Sequence, residues 1–149
     1  GIWVFVNLLP SLLCITNPRQ KELGWRDFTG WALFIVGFLI ETVADYQKSS
    51  FRNEKANQDK FISSGLWSLS RHPNYFGEVL LWFGLYVSAS SVFQSWQFLT
   101  VFCPVLEYLL ISKLSGVPFL EGYALKKWGT SPKYQEYLRN TPVLVPFWH

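Results

Sequence analysis

Apolar residues gather along this chain in four blocks, over residues 2–16, 28–46, 76–93 and 96–112. A helix needs about 20 mostly apolar residues to cross a bilayer, with a range of about 17 to 25, and the blocks approach that length. The first is short and carries Asn7 and Pro10, as a truncated or kinked span would. The second holds Glu41 and Asp45 near its end, and the fourth contains Pro104 and Glu107. Nothing shows the period-two alternation of a membrane barrel, so helices are expected throughout. The predicted fold is all-α, a multi-span transmembrane helical domain of about four spans with an amphipathic C-terminal tail from Lys113 to His149. No internal repeat or flexible linker divides it, which predicts a single membrane domain over 1–149.

Composition agrees with a membrane setting. Half of the 149 residues are hydrophobic, 19% are aromatic with eight Trp, and 15% are charged, against about 25% charged in soluble proteins. Cys14 and Cys103 both lie in apolar runs and read as small buried hydrophobes, not as a disulfide framework. The chain holds no Met and opens as Gly1-Ile2-Trp3, already apolar and without a basic leader. The expectation is the C-terminal part of a larger protein, and a processed subunit would look the same.

The net charge of +3 is not concentrated in basic runs, so no nucleic-acid partner is expected. Its distribution says more. If four spans alternate, the polar stretch 47–70 and the tail share one side. That side carries Lys48, Arg52, Lys55, Lys60 and Arg71, then Lys113, Lys126, Lys127, Lys133 and Arg139, whereas the other has only Arg19, Lys21 and Arg26. The positive-inside rule turns the richer side toward the cytosol or its equivalent.

That side also holds the densest chemistry. Ser70-Arg71-His72-Pro73-Asn74-Tyr75-Phe76-Gly77-Glu78 places a cation, an imidazole, an amide, a phenol and a carboxylate where a polar loop meets an apolar block. Pro73 favours the first turn of a helix starting near Asn74 and an extended His72 before it. Arg71 and His72 then precede a helix N-terminus, where backbone N–H groups favour an anion, and phosphate is the natural guest. The alternative is an Arg71 reaching lipid headgroups and a His72 that caps a turn.

Glu41, Asp45, Lys48 and Arg52 follow at intervals of four, three and four, on one face of a helix. They form either an ion-pair ladder, each pair contributing about 0.2–0.5 kcal/mol, or a site in which Lys48 and Arg52 grip a phosphate. Gly116 to Glu121 reads as a turn and then a helix with Glu121 near its start, where a carboxylate suits the dipole. Tyr123, Trp128, Tyr134 and Tyr137 are by default an interfacial belt, and otherwise the wall of a nucleotide pocket. No glycine-rich nucleotide loop is present, and His72 with His149 cannot build a histidine-rich metal site, so no metal is expected.

Ser70 to Glu78 with Leu81-Trp82, Gly65-Leu66-Trp67, Ala44 to Lys48 with Phe51-Arg52, Ser115 to Glu121, Tyr134 to Tyr137 and Thr141 to Pro146 together resemble the C-terminal region of the membrane steroid 5-alpha-reductase family, nearest its broad DUF1295 branch. The resemblance implies an endomembrane or bacterial inner-membrane oxidoreductase that uses NADPH to reduce a carbon–carbon double bond in an apolar, lipid- or steroid-like substrate. It implies a cofactor site of Asp45, Lys48, Arg52, Arg71, His72, Asn74, Glu121 and Tyr137, with Tyr75 and Glu78 as catalytic groups. Lys48 and Arg52 would meet phosphate, Tyr75 would be the candidate acid, and membrane lipid would surround the whole.

Two other readings compete. The Arg71-His72-Pro73-x-Tyr75-x-Gly77 core is similar to that of isoprenylcysteine carboxyl methyltransferases, which bind S-adenosylmethionine. Those enzymes carry paired Glu residues where this chain has Leu120-Glu121-Gly122. A non-catalytic subunit that keeps a reductase-like scaffold among the other subunits of a membrane complex is the third.

Overall fold

A computed structural model describes residues 2–18 and 21–148, so Gly1, Arg19, Gln20 and His149 lie outside the described residues. Every regular element among the described residues is helical: α1 (Ile2–Ile15), α2 (Trp25–Asn53), α3 (Pro73–Ala89), α4 (Phe102–Leu109), α5 (Gly116–Trp128) and α6 (Pro132–Asn140). Short 3₁₀ turns cover Lys55–Asn57, Gly65–Ser68 and Ser95–Val101, and a π turn covers Leu110–Leu114.

Prolines set several of the starts. Pro73 opens α3, Pro132 opens α6, and Pro104 and Pro118 fall in the first turns of α4 and α5. At such positions the missing N–H has no intrahelical partner to lose. Pro10, by contrast, lies inside α1.

Helix α2 runs seven residues beyond the second apolar block, because residues 47–53 are polar but contain neither Gly nor Pro and nothing stops the helix. The fourth block likewise continues, through the π turn, into a helical run over Ser95–Trp128. These two are the helices long and apolar enough to cross a membrane, and only 22% and 28% of their most apolar windows are buried. A core helix of a soluble protein would be mostly covered. Apolar faces turned outward on this scale are the surface of an integral membrane protein. Helices α1 and α3 are shorter, at 14 and 17 residues.

The chain forms two compact units, one from residues 1–38 and 78–109 and the other from 39–77 and 110–149. In the first, Gly30 of α2 and Gly84 of α3 allow backbone to meet backbone. A Cβ on Gly30 would lie 2.7 Å from the Gly84 carbonyl, and one on Gly84 would lie 2.6 Å from the Phe34 nitrogen. Small residues permit this approach, which is how helices gain contact where water supplies no driving force. Asn7 donates its amide N–H to the carboxyl of Glu107, and both are buried, so two polar side chains 100 residues apart meet in apolar surroundings. The last carbonyls of the α3 region are capped by side chains: Arg26 on Ser90, Lys21 on Ser91 and Asn17 on Val92.

The second unit is built round Trp67, which is 4% exposed and donates its indole N–H to the Ala44 carbonyl at 3.0 Å. Gly65, two residues earlier, has φ +63°, in the left-handed region, and its α-hydrogen side faces the Gln47 amide. Gln47 in turn accepts from the Leu66 N–H at 3.0 Å. Gly65→Ala is therefore expected to cost about 1–2 kcal/mol from backbone strain alone, with Gln47 displaced as well. A fall in the unfolding midpoint of the detergent-solubilised chain measures it, and an unchanged midpoint would contradict the assignment.

Candidate functional site

The polar nonapeptide is held from behind by the end of the chain. Ser70, fully buried, donates its hydroxyl to the Leu144 carbonyl at 2.8 Å, and the Arg71 N–H donates to the Pro142 carbonyl at 2.9 Å. The His72 N–H donates back to the Ser70 oxygen at 3.2 Å. This fixes the turn from which α3 starts, and the Phe76 N–H closes the first helical bond on the His72 carbonyl. Arg71 and His72 thus stand just before the N-terminus of α3, as Pro73 predicts.

Both side chains converge on α5. Arg71 Nη1 reaches one Glu121 oxygen at 2.6 Å, and His72 Nε2 lies 2.8 Å from the other. The three are largely covered, with side-chain exposures of 13%, 7% and 20%. Tyr75 stacks on the His72 ring at 5.8 Å, and its own ring occupies the space where a Cβ on Gly116 would sit. The glycine at the start of α5 is there to admit it.

In front of this group lies a cleft enclosing about 110 Å³, close to the size of a cavity that admits a benzene ring. Lys48 and Arg52 of α2, Lys60, Arg71, His72, Glu121 and Tyr137 line it. So do Phe61, Trp67, Tyr123, Trp128 and Tyr134. Phe61 packs edge-on against Tyr134 at 5.0 Å and Trp128 at 6.0 Å, and lies tilted at 5.4 Å from Tyr137, which makes one aromatic cluster. The Lys48 ammonium sits 4.9 Å over the Trp67 ring, a cation–π contact in place of a pair with Asp45.

Tyr137 donates its hydroxyl to the Trp67 carbonyl at 2.6 Å. Burial pushes this phenol well above the usual tyrosine range, partly offset by the nearby Arg71 guanidinium, so it stays a neutral donor. Burial raises the Tyr134 hydroxyl too.

Of the residues expected to hold a cofactor, Lys48, Arg52, Arg71, His72, Glu121 and Tyr137 come together in this one cleft. Asp45 is exposed on α2 and does not line it; nor do Asn74, Tyr75 and Glu78. The Glu78 carboxyl hydrogen-bonds that of Glu107 in the first unit. Lys60 and Phe61 carry no motif signal, since they sit in a polar stretch with no periodicity. Tyr123, Trp128, Tyr134 and Tyr137, by default an interfacial belt, line the cleft, where Tyr134 is 3% exposed and Trp128 donates to the Asp59 carbonyl at 2.7 Å. Tyr123 serves the cleft from an exposed position.

Three buried polar atoms round the start of α3 have no partner among the described residues: Arg71 Nε and His72 Nδ1, of residues that line the cleft, and Asn74 Oδ1, of one that does not. Buried polar groups are nearly always satisfied, and an orphaned set at the start of a helix calls for a ligand or a water.

Comparison with known proteins places this geometry in context. The chain is 30% identical over 123 residues to a 3-oxo-5-alpha-steroid 4-dehydrogenase 1 of Bos taurus, covering 82% of this chain and 42% of that protein. Over 132 residues it is 30% identical to a probable O-methyltransferase of Ustilaginoidea virens, covering 77% of this chain and 46% of that one. A Delta(14)-sterol reductase of Saccharomyces cerevisiae is 37% identical over 70 residues, covering 40% of this chain and 16% of that protein. The chain thus spans less than half the length of these relatives. No solved structure matches it significantly. The model of the family described as "Protein of unknown function (DUF1295)" matches residues 1–141, nearly the whole chain, and the protein belongs to that family.

Proposed function

We propose that the chain is one membrane domain, the C-terminal part of a larger reductase-like protein that reduces a carbon–carbon double bond in a lipid- or steroid-like substrate with NADPH. In this reading four spans cross the bilayer, and the cleft opens to the cytosol or its equivalent. The observation that carries it is the make-up of the cleft, an aromatic wall with the cations Lys48, Arg52, Lys60 and Arg71 against the carboxylate of Glu121. Rings stack on such walls, and a phosphorylated dinucleotide supplies both the rings and the anions. Similarity to a steroid dehydrogenase and a sterol reductase supports the choice of substrate.

When bound, NADPH would supply a hydride. The residues of the chain bind, orient and exclude water. Lys48 and Arg52 would hold phosphate, and Tyr137 would brace Trp67 as a face for a ring. Arg71 and His72 would fix the reacting end by their hydrogen bonds. Tyr75, which packs on His72 but does not itself line the cleft, is the residue proposed to hold the proton that the substrate's second carbon receives. Glu78 is engaged with Glu107, and no role in the cleft is proposed for it.

Similarity to a probable O-methyltransferase favours a second reading, a site for S-adenosylmethionine. Its sulfonium and ammonium groups would meet four cations and one carboxylate, a poor electrostatic match. Trp67 and Trp128 line the cleft, so their fluorescence reports the occupant. Quenching by NADPH at micromolar concentration, without response to S-adenosylmethionine, is the expected result. The opposite pattern would replace the reductase by the methyltransferase.

A further inference from the structure

The basic side chains of the cleft fall into two classes. Arg71 and His72 share the Glu121 carboxylate, and both of its oxygens are taken. Among the described residues Lys48, Arg52 and Lys60 have no carboxylate within ion-pair distance, and no other acid lines the cleft. The start of α3 would ordinarily welcome an anion. Here a carboxylate already stands beside it.

On the reading that the cleft takes a phosphorylated dinucleotide, we propose that Glu121 sets the direction in which that ligand lies: it closes the start of α3 to phosphate and directs the anionic groups to Lys48, Arg52 and Lys60. A phosphate beside Arg71 would have to share its guanidinium with a fixed negative charge, and like charges in a half-buried site repel strongly. A phosphate at Lys48, Arg52 and Lys60 meets no such rival. The remaining atoms at the α3 end are Arg71 Nε, His72 Nδ1 and Asn74 Oδ1, all buried and without partners. Donors and acceptors side by side suit a neutral polar group, such as an amide, and not an anion. Glu121 is thus a specificity residue that holds the two ends of the ligand apart by charge.

Inorganic pyrophosphate is the probe, titrated calorimetrically into the whole chain in neutral detergent at low salt. Glu121→Gln is expected to bind it about tenfold more tightly than the unaltered protein, because a barred anion site opens. Equal or weaker binding in a folded Glu121→Gln variant would overturn the proposal and leave Glu121 as a mere support for Arg71. Arginine modification by phenylglyoxal, read by mass spectrometry on the unaltered chain, gives the same answer without a variant. Pyrophosphate should protect Arg52 and leave the rate at Arg71 unchanged; protection of Arg71 would refute the idea even if Glu121→Gln failed to fold. The broader reading fails separately. If NADPH does not quench while pyrophosphate behaves as described, the dinucleotide is wrong and the charge assignment stands; if NADPH binds and Arg71 is protected, only the assignment falls.

Discussion

Trp67→Ala is expected to destabilise the second unit by about 3–5 kcal/mol, the range for deleting a buried aromatic side chain. Three contacts go together. The indole is 4% exposed, its N–H holds the Ala44 carbonyl on α2, and its ring lies beneath the Lys48 ammonium. The residue's backbone carbonyl also receives the Tyr137 hydroxyl, so collapse round the lost ring disturbs α6. Ala44 is fully buried and offers no flexible side chain to fill the space. Trp67→Phe keeps most of the buried area and should lose about 1–2 kcal/mol, from the missing hydrogen bond and the smaller ring. Thermal unfolding of both variants in one detergent measures the pair. An alanine variant that melts with the unaltered protein would mean that the second unit is not organised round this side chain.

The same residues show what a linear chain can and cannot disclose. The start of α3 was legible because Pro73 acts locally: its ring fixes its own φ and bars the helix from the residue before it, whatever the rest of the fold does. The gathering of Lys48, Arg52, Arg71, His72, Glu121 and Tyr137 had no local cause. Spacing paired Lys48 with Arg52 and Arg71 with His72, but only the family resemblance joined these to Glu121 and Tyr137, since Arg71 and Glu121 are 50 residues apart and nothing in their spacing pairs them. The aromatic wall was open in the sequence because Tyr and Trp near a membrane boundary look alike whether they face headgroups or a cleft, and the packing of Phe61 on Tyr134 is not written in their spacing. The second apolar block stops at residue 46 while the helix that carries Glu41, Asp45, Lys48 and Arg52 on one face runs on to Asn53, because hydropathy marks where a helix leaves lipid, not where it stops. The Asn7–Glu107 bond illustrates the converse. Each residue alone marks a polar flaw in an apolar block, and only the fold brings the two together.

In the first unit the largest expected loss comes from a residue with almost no side chain. Gly84→Val should weaken that unit by about 3 kcal/mol, at the upper end of overpacking penalties. A Cβ at Gly84 would meet the Phe34 nitrogen at 2.6 Å and the Gly30 carbonyl at 2.7 Å, both backbone atoms that cannot turn aside. Relief requires α2 and α3 to separate, and separation forfeits the close packing that holds helices together in lipid. Gly30→Ala should act in the same direction, since its Cβ would meet Ser88 and Gly84 at 2.5–2.7 Å. Gly122 is the control. It lies within α5 with nothing inside 4 Å of its would-be Cβ, so Gly122→Ala removes only the flexibility cost of glycine in a helix and should stabilise by about 0.5–1 kcal/mol. Folded yield and melting temperature of the three variants, purified side by side in one detergent, read out the contrast. If Gly84→Val and Gly122→Ala prove equally benign, α2 and α3 do not touch at these glycines, and the tight crossing that organises the first unit is wrong.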